Sequence, residues 1–244
     1  TSGHSSLPYL AQGKAKILIV EKPGVRYLDN MAPDRRNIKF DTSFSLENWS
    51  KRIESVTHEV LSKENIDTSK IMVIGHSEGG IAAARVANRM HQKVNYVCIM
   101  AGEGPSQLYS LYTFARSGEF FSEKGATDRE RTDFVVEKWK DIIQSPYSTD
   151  KYFWGFTYLR WYSFLSTSVI DELSQYKGSV LILQGEEDKN VNPETAVIAY
   201  ASLLSKGVDV TLKMYPGADH SFYIKSGNGN GWETALKDAL NWFF

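Results

Sequence analysis

The segment Gly75–Gly79 reads Gly-His-Ser-Glu-Gly and matches the pattern Gly-x-Ser-x-Gly. It ends the apolar run Lys70–Gly75 and leads into the alanine-rich stretch Glu78–Met90, so Ser77 is expected at a sharp turn from a strand into a helix. Such a turn exposes the serine hydroxyl, and the N–H of Glu78 lies at a helix N-terminus, where developing negative charge is stabilised. The pattern predicts a nucleophilic serine with the Glu78 N–H as one oxyanion donor.

A serine hydroxyl is a weak nucleophile until a base removes its proton, and the base needs an acid to orient it. His220 follows the predicted strand Val208–Tyr215 by a short loop, which places it at a carboxyl strand end, level with the serine. The predicted strand Ser179–Gln184 runs into Gly-Glu-Glu-Asp, which offers Asp188 as the acid. The residues alone leave three alternative acids open: Glu186, Glu187 and Asp219.

Short apolar runs predict the strands that must position these side chains. They are Ala15–Glu21, Lys70–Gly75, Val94–Ala101, Ser179–Gln184 and Val208–Tyr215. The first four are nearly continuous in Ile, Leu and Val, as in central parallel strands, whereas the fifth alternates like a strand near an edge. Helical patterns lie between the runs, for example from Leu46 to Val60 with Ser45 as N-cap. Strands that alternate with helices predict an α/β fold with a mostly parallel sheet.

The alternation breaks between Glu103 and Lys177, where the chain is rich in Tyr, Trp and Phe. This stretch has helical periodicity and no clear strand. We therefore expect a helical insertion over residues 103–177, with residues 1–102 and 178–244 forming the catalytic domain.

Composition excludes several other classes of protein. The 244 residues carry a formal net charge of −1, which argues against a nucleic-acid binder. The single cysteine, Cys98, excludes an intrachain disulfide framework, and no His or Cys spacing predicts a metal site. No apolar run reaches the roughly 18 residues of a membrane span, no signal peptide is visible, and no cofactor is expected.

Three segments resemble the α/β-hydrolase superfamily. GHSEGG is similar to its nucleophile turn, LILQGEEDKNVNP to its acid loop and YPGADHSF to its histidine loop. The last two are most similar to prolyl-oligopeptidase-like and dienelactone-hydrolase-like members. The resemblance implies Asp188 as the acid, since the family's acid lies three residues past the loop glycine, and His220 as the base.

The resemblance also implies that the insertion 103–177 is a lid, in which Trp154, Tyr158 and Trp161 are expected to face the substrate. Thr1–His4 resembles the end of the loop that provides the family's second oxyanion donor, which we place at Ser2 or Gly3. The family's sheet normally has eight strands, and the N-terminal ones have no counterpart among the runs above.

The expected reaction is hydrolysis of a small-molecule carboxylic ester with an apolar part, because the insertion is aromatic and basic clusters are few. A peptidase or amidase of the prolyl-oligopeptidase type is the alternative enzyme. A hydrolase-fold binding protein that has lost catalysis is the alternative from another class, although such proteins typically lack one member of the triad.

Overall fold

The computed structural model of the protein describes residues 5–25, 37–64, 66–225 and 231–244. Within these ranges a parallel sheet has the spatial order β1-β2-β5-β6, and a short antiparallel pair joins β3 to β4. The strands are β1 (Met72–His76), β2 (Tyr96–Met100), β3 (Tyr152–Phe153), β4 (Phe156–Thr157), β5 (Ser179–Gly185) and β6 (Asp209–Tyr215). The helices are α1 (Leu7–Ala11), α2 (Ile38–Ser43), α3 (Leu46–Lys63), α4 (Glu78–Arg89), α5 (Gln107–Ser117), α6 (Asp128–Gln144), α7 (Tyr158–Leu165), α8 (Val169–Leu173), α9 (Glu194–Ser205) and α10 (Gly231–Phe243).

Helices cover both faces of the sheet. Successive strand residues point to opposite faces, so one strand contributes to two cores. In β2, Cys98 and Met100 pack with α1 and α10, whereas Val97 and Ile99 pack with α4, α8 and α9. Burial on both sides explains why β2 and β5 are continuous apolar runs, and the α/β fold predicted from the alternation is confirmed.

The prediction of a strand at Ala15–Glu21 is wrong. This segment is extended, but no backbone hydrogen bond joins it to β1 in the described part of the chain. A cavity of about 1500 Å³ is lined by both segments, whereas paired strands lie only about 4.8 Å apart. As a result β1, predicted to be central, lies at one edge of the described sheet, and β6 lies at the other, as predicted.

The parallel register brings three loops to one edge of the sheet. Gly75 pairs with Ile99 at the end of β1, and Gly185 pairs with Tyr215 at the ends of β5 and β6. The carboxyl ends of parallel strands lie together, which is where α/β proteins bind ligands. The turn after β1, the loop after β5 and the loop after β6 therefore meet, and they carry Ser77, Asp188 and His220.

The insertion 103–177 contains α5 to α8 and has a buried cluster of its own, formed by side chains such as Leu111, Val135 and Trp161. Its last part, including Phe164 and Leu173, packs in the core of the sheet domain. The expectation that it contains no strand is wrong, because β3 and β4 form a hairpin. Trp154 and Gly155 turn this hairpin with positive φ values of 41° and 84°, as two-residue hairpin turns require. The division into a lid and a catalytic domain stays a prediction.

Candidate active site

Ser77 occupies the sharp turn between β1 and α4. Its φ of 56° and ψ of −127° are unusual for a residue with a side chain, and its hydroxyl makes no capping hydrogen bond to α4. A Cβ at Gly75 would lie 2.0 Å from the carbonyl oxygen of Gly79, so only glycine fits where strand and helix meet. The turn thus holds the Ser77 hydroxyl away from the backbone and available for chemistry.

Glu78 is the first residue of α4, so its N–H lies at the helix N-terminus beside the serine. Unpaired N–H groups there favour a developing oxyanion. The assignment of Glu78 as an oxyanion donor stays a prediction. Ser2 and Gly3, predicted to provide the second donor, lie outside the described residues.

Asp188 contacts the ring of His220. Its Oδ2 atom lies 2.8 Å from His220 Nδ1, and its Oδ1 atom accepts the N–H groups of Asn190 and Val191 at 2.8 and 3.0 Å. Gln184 donates a further bond to Oδ2 at 3.0 Å. Burial raises the pKa of the Asp188 carboxyl, but the bonds from His220 and the two N–H groups outweigh burial and lower the pKa below its ordinary value.

The structure separates Asp188 from the alternative acids. Glu186 and Glu187 are exposed, and their backbone N–H groups bind the carbonyls of Tyr215 and Ala218. Asp219 accepts the N–H groups of Ser221 and Tyr223 within its own loop. Asp188 is the acid whose contact with His220 is seen.

Contacts of His76 and Gly185 hold the loop that carries His220. His76 bonds the carbonyl of His220 at 2.8 Å through Nε2, and the two rings lie 4.7 Å apart. Gly185 approaches the carbonyls of Ala218 and Asp219 so closely that a Cβ there would lie 2.5 Å from each. These contacts hold the loops after β5 and β6 against each other.

Ser77 and His220 line the same cavity. No hydrogen bond joins their side chains among the residues that the structure covers. Catalytic hydrogen bonds are often formed fully only when substrate binds, so a missing Ser77–His220 bond is compatible with a nucleophile and its base. Their roles stay predictions.

The aromatic residues predicted to face the substrate occupy different places. Trp161 is buried and lines the same cavity as Ser77. Trp154 is 50% exposed and stacks on Trp161 with ring centroids 6.2 Å apart. Tyr158 is buried within the insertion, and neither it nor Trp154 is among the residues that line the cavity in the described ranges.

The carboxylate of Glu78 joins two cations from distant parts of the chain, an arrangement that the sequence did not indicate. Arg160 of α7 donates to Glu78 Oε2 at 2.7 Å, and Lys22 pairs with Oε1. Burial raises the pKa of the Glu78 carboxyl, but the charges of Lys22 and Arg160 outweigh burial and bring the pKa down to about 2. This ion cluster ties the insertion to the residue that follows the serine.

Replacing Glu78 with glutamine is expected to weaken the acid dependence of stability. The folded carboxyl, with a pKa near 2, binds fewer protons than the unfolded one, with a pKa near 4.5, so its stabilisation is present above pH 4.5 and lost as pH falls toward 2. Wild type should lose an advantage of up to about 3 kcal/mol over Glu78→Gln across this window.

Urea unfolding of both proteins between pH 7 and pH 3 measures the larger part of that difference, about 2 kcal/mol, because pH 3 is still above the folded pKa. Glu64→Gln is the matched control, because Glu64 pairs with Lys16 at the surface, where an ion pair contributes little. A constant gap between wild type and Glu78→Gln over the whole range would contradict the assigned ion cluster.

Two further polar residues near the site were not predicted. Gln184, the last side chain of its apolar run, is fully buried and holds Asp188. Glu103 follows β2, is 6% exposed and lines the cavity. Burial and the charge of Asp188 raise the pKa of the Glu103 carboxyl well above its ordinary value, although a hydrogen bond donated by Ser110 opposes this. The only sequence signal for Gln184 and Glu103 was the position of each as a polar residue at or just after the end of an apolar run.

The described ranges contain neither a metal-binding cluster nor a membrane-spanning helix. No group of three or more His, Cys, Asp or Glu side chains is placed to hold a metal ion there. No helix in this part of the chain is long and apolar enough to cross a membrane.

Comparison with known families and proteins gives two sequence matches. A profile of the prolyl oligopeptidase family matches residues 48–244. The acylamino-acid-releasing enzyme of Mus musculus is 24% identical over 172 residues, which cover 70% of this chain and 20% of that enzyme. The chain thus spans about a fifth of the length of this relative.

Solved structures share the fold. Est1E from Butyrivibrio proteoclasticus, which has also been solved with ferulic acid bound, matches with a TM-score of 0.53 at 16% identity over 84% of this chain and 71% of its own. The monoacylglycerol lipase of Paleococcus ferrophilus matches with a TM-score of 0.52 at 21% identity over 82% of this chain and 76% of its own. At these identities the likeness concerns the fold, and it confirms the fold predicted from the sequence.

Proposed function

Since the chain belongs to the prolyl oligopeptidase family and is a serine hydrolase with the α/β-hydrolase fold, we propose that it cleaves carboxylic esters with Ser77, His220 and Asp188. The observation that carries this proposal is the Asp188–His220 pair at 2.8 Å, whose histidine lines the same cavity as Ser77. A base oriented by a carboxylate, in one cavity with a serine whose hydroxyl is free, is the arrangement that acyl transfer requires.

In the proposed reaction, Ser77 Oγ attacks the carbonyl carbon of the ester while His220 takes its proton. The Glu78 N–H stabilises the resulting oxyanion, and the alcohol leaves with the proton returned by His220. Water then attacks the acyl-enzyme by the same route and releases the acid. Asp188 keeps the His220 ring oriented and stabilises its protonated form.

The cavity favours an ester with an apolar part. Leu111, Phe120 and Trp161 of the insertion line it together with Val191. Apolar walls with a few placed polar groups are typical of small-molecule sites. A peptidase or amidase is the second candidate, and the observation that favours it is the match to the acylamino-acid-releasing enzyme.

A panel of p-nitrophenyl esters and aminoacyl p-nitroanilides distinguishes the two candidates. The intrinsic reactivity of each substrate is measured from its hydrolysis by hydroxide without protein. After correction for this reactivity, we expect kcat/KM to be higher for the best ester than for any anilide. If the anilides exceed the esters after this correction, the protein is a peptidase or amidase.

The insertion is expected to set the ranking of acyl chain lengths through Trp161. Trp161→Phe removes part of a buried ring that lines the cavity and the bond of its N–H to the Phe153 carbonyl at 2.6 Å. The preferred ester between acetate and octanoate should therefore shift, while the rate on acetate changes less than about threefold, because a short acyl chain does not fill the same space.

The matched control is Trp154→Phe, since Trp154 lies in the same aromatic cluster but is half exposed. Its chain-length profile should superimpose on that of wild type. If the profile of Trp161→Phe also superimposes, Trp161 does not shape the acyl site.

A further inference from the structure

The buried side chain of Glu103 follows β2, between the elements that carry the predicted nucleophile and the acid. In the sheet, β2 has β1 on one side and β5 on the other. The Ser77 N–H donates to the Met100 carbonyl at 2.9 Å, so the turn after β1 contacts the end of β2. On the other side, the charge of Asp188 in the loop after β5 acts on the Glu103 carboxyl. Glu103, which lines the cavity, is therefore close to both residues.

The backbone that carries Glu103 is held tightly. Ala101 has a positive φ of 44°, which is unusual for a residue with a side chain. A Cβ at Gly104 would lie 2.1 Å from the carbonyl oxygen of Thr195, so only glycine fits there. The Gly104 carbonyl also accepts the Ile170 N–H at 3.2 Å. These contacts fix the chain on both sides of Glu103.

One oxygen of the Glu103 carboxyl is bonded and the other is free. Oε2 accepts the Ser110 hydroxyl at 2.8 Å, and Ser110 in turn accepts the Asn192 N–H at 3.1 Å. Oε1 has no hydrogen-bond partner in the part of the chain that the structure describes. It is not one of the unbonded side-chain atoms there that lack accessible surface. Since Glu103 lines the cavity, its Oε1 atom is open to the cavity and to a ligand.

The surroundings of Glu103 keep its carboxyl neutral. No cation pairs with Glu103 within the described ranges. Ser110 faces it from α5 and Asp188 from the loop after β5, and burial together with the Asp188 charge keeps the pKa of the Glu103 carboxyl well above its ordinary value. Oε2 receives the proton of Ser110, so the carboxyl's own proton is on Oε1. A carboxyl that its site keeps neutral can donate a hydrogen bond at neutral pH.

We propose that Glu103 donates a hydrogen bond from Oε1 to a neutral oxygen in the acyl chain of the substrate, so that the preferred substrates are esters of acids that carry an ether, keto or hydroxyl oxygen. The inference rests on the proposed ester hydrolysis. Ser110, which holds Glu103, precedes Leu111 in α5, and Leu111 belongs to the apolar wall of the same cavity. Because Ser77 and Glu103 are both fixed, one position of the oxygen along the acyl chain should be best.

The test compares four p-nitrophenyl esters whose acyl chains have the same length. The hexanoate has no chain oxygen, whereas the propoxyacetate, 3-ethoxypropionate and 4-methoxybutyrate replace one methylene by oxygen at successive positions. Each kcat/KM is divided by the rate constant for hydrolysis by hydroxide, which corrects for intrinsic reactivity. Wild type should hydrolyse one of the three ethers at least about fivefold faster than the other two, as expected for one hydrogen bond from a fixed donor. Equal corrected values for the three ethers would overturn the proposal and leave ester hydrolysis intact.

Three variants locate the donor of this hydrogen bond. Glu103→Gln should keep the optimum among the ethers, because its amide oxygen accepts from Ser110 and its N–H groups then face the cavity. Glu103→Met has a similar size and no donor, so it should lose the optimum. Gln107→Met removes another polar side chain that lines the cavity and should keep the optimum. Loss of the optimum in Glu103→Gln, its persistence in Glu103→Met or an equal loss in Gln107→Met would refute the assignment.

The pH dependence separates a donor from a residue that only supports the fold. With rising pH, Glu103 loses its proton and Oε1 can no longer donate, so the optimum should weaken in wild type and stay constant in Glu103→Gln, whose amide does not titrate. A decline of equal size in both proteins would contradict the proposal. If near-UV circular dichroism shows that Glu103→Met does not fold, Glu103→Ala takes its place in the same assays. If wild type hydrolyses none of the four esters, the proposed function fails and the inference fails with it.

Discussion

Replacing Ser77 with alanine is expected to lower kcat/KM on the best ester by about 10⁴-fold or more. The variant has no atom that can form the acyl-enzyme, and the remaining rate comes from binding and from the oxyanion donors. Folding should persist, because the Ser77 hydroxyl makes no capping bond whose loss would cost stability. The positive φ at this turn is carried equally by serine and alanine.

Steady-state rates and thermal unfolding of both proteins check this expectation. Ser221→Ala is the matched control, because Ser221 is an exposed serine in the histidine loop, and it should keep wild-type activity. A Ser77→Ala protein that retained a tenth of the wild-type rate would show that another residue is the nucleophile.

Asp188→Asn is expected to lower kcat by about 10⁴-fold at neutral pH, the second large effect. The carboxylate accepts from Gln184, from two backbone N–H groups and from His220, so every contact requires an acceptor. An asparagine amide turned toward those backbone donors presents its own N–H to His220, which favours the wrong tautomer of the ring.

Glu187→Gln is the control for this variant, since Glu187 lies one residue away, is exposed and has the same change of carboxylate to amide. Its kcat should stay within about twofold of wild type. The assignment would be reversed if Glu187→Gln lost the greater part of the activity and Asp188→Asn did not.

The sequence predicted those parts of the site that depend on local chain chemistry. The glycines around Ser77 encode a turn that has no room for a side chain at Gly75. A Cβ at Gly75 would lie 2.0 Å from the carbonyl oxygen of Gly79. The loops after β5 and β6 follow apolar runs whose carboxyl ends must meet in a parallel sheet. For this reason the sequence predicted that an acid of the first loop lies near His220. The choice of Asp188 among the four candidate acids needed the resemblance to a family.

Contacts between segments distant in the sequence were not predictable in the same way. Ala15–Glu21 has the composition of a strand, but strand pairing depends on a neighbour, and a cavity lies between it and β1. The Glu78–Arg160 pair joins residues 82 positions apart and has no local pattern. Trp154 and Trp161 are both aromatic in the sequence, and only packing places one at the cavity and exposes the other.

The most direct test of Ser77 as the nucleophile is intact-protein mass spectrometry after brief reaction with a slowly hydrolysed p-nitrophenyl ester, followed by peptide mapping. We expect one acyl group per chain, located on Ser77 in the mapped peptide and absent in Ser77→Ala. An ester that is turned over with no adduct on Ser77, or with the acyl group on another residue, would contradict it.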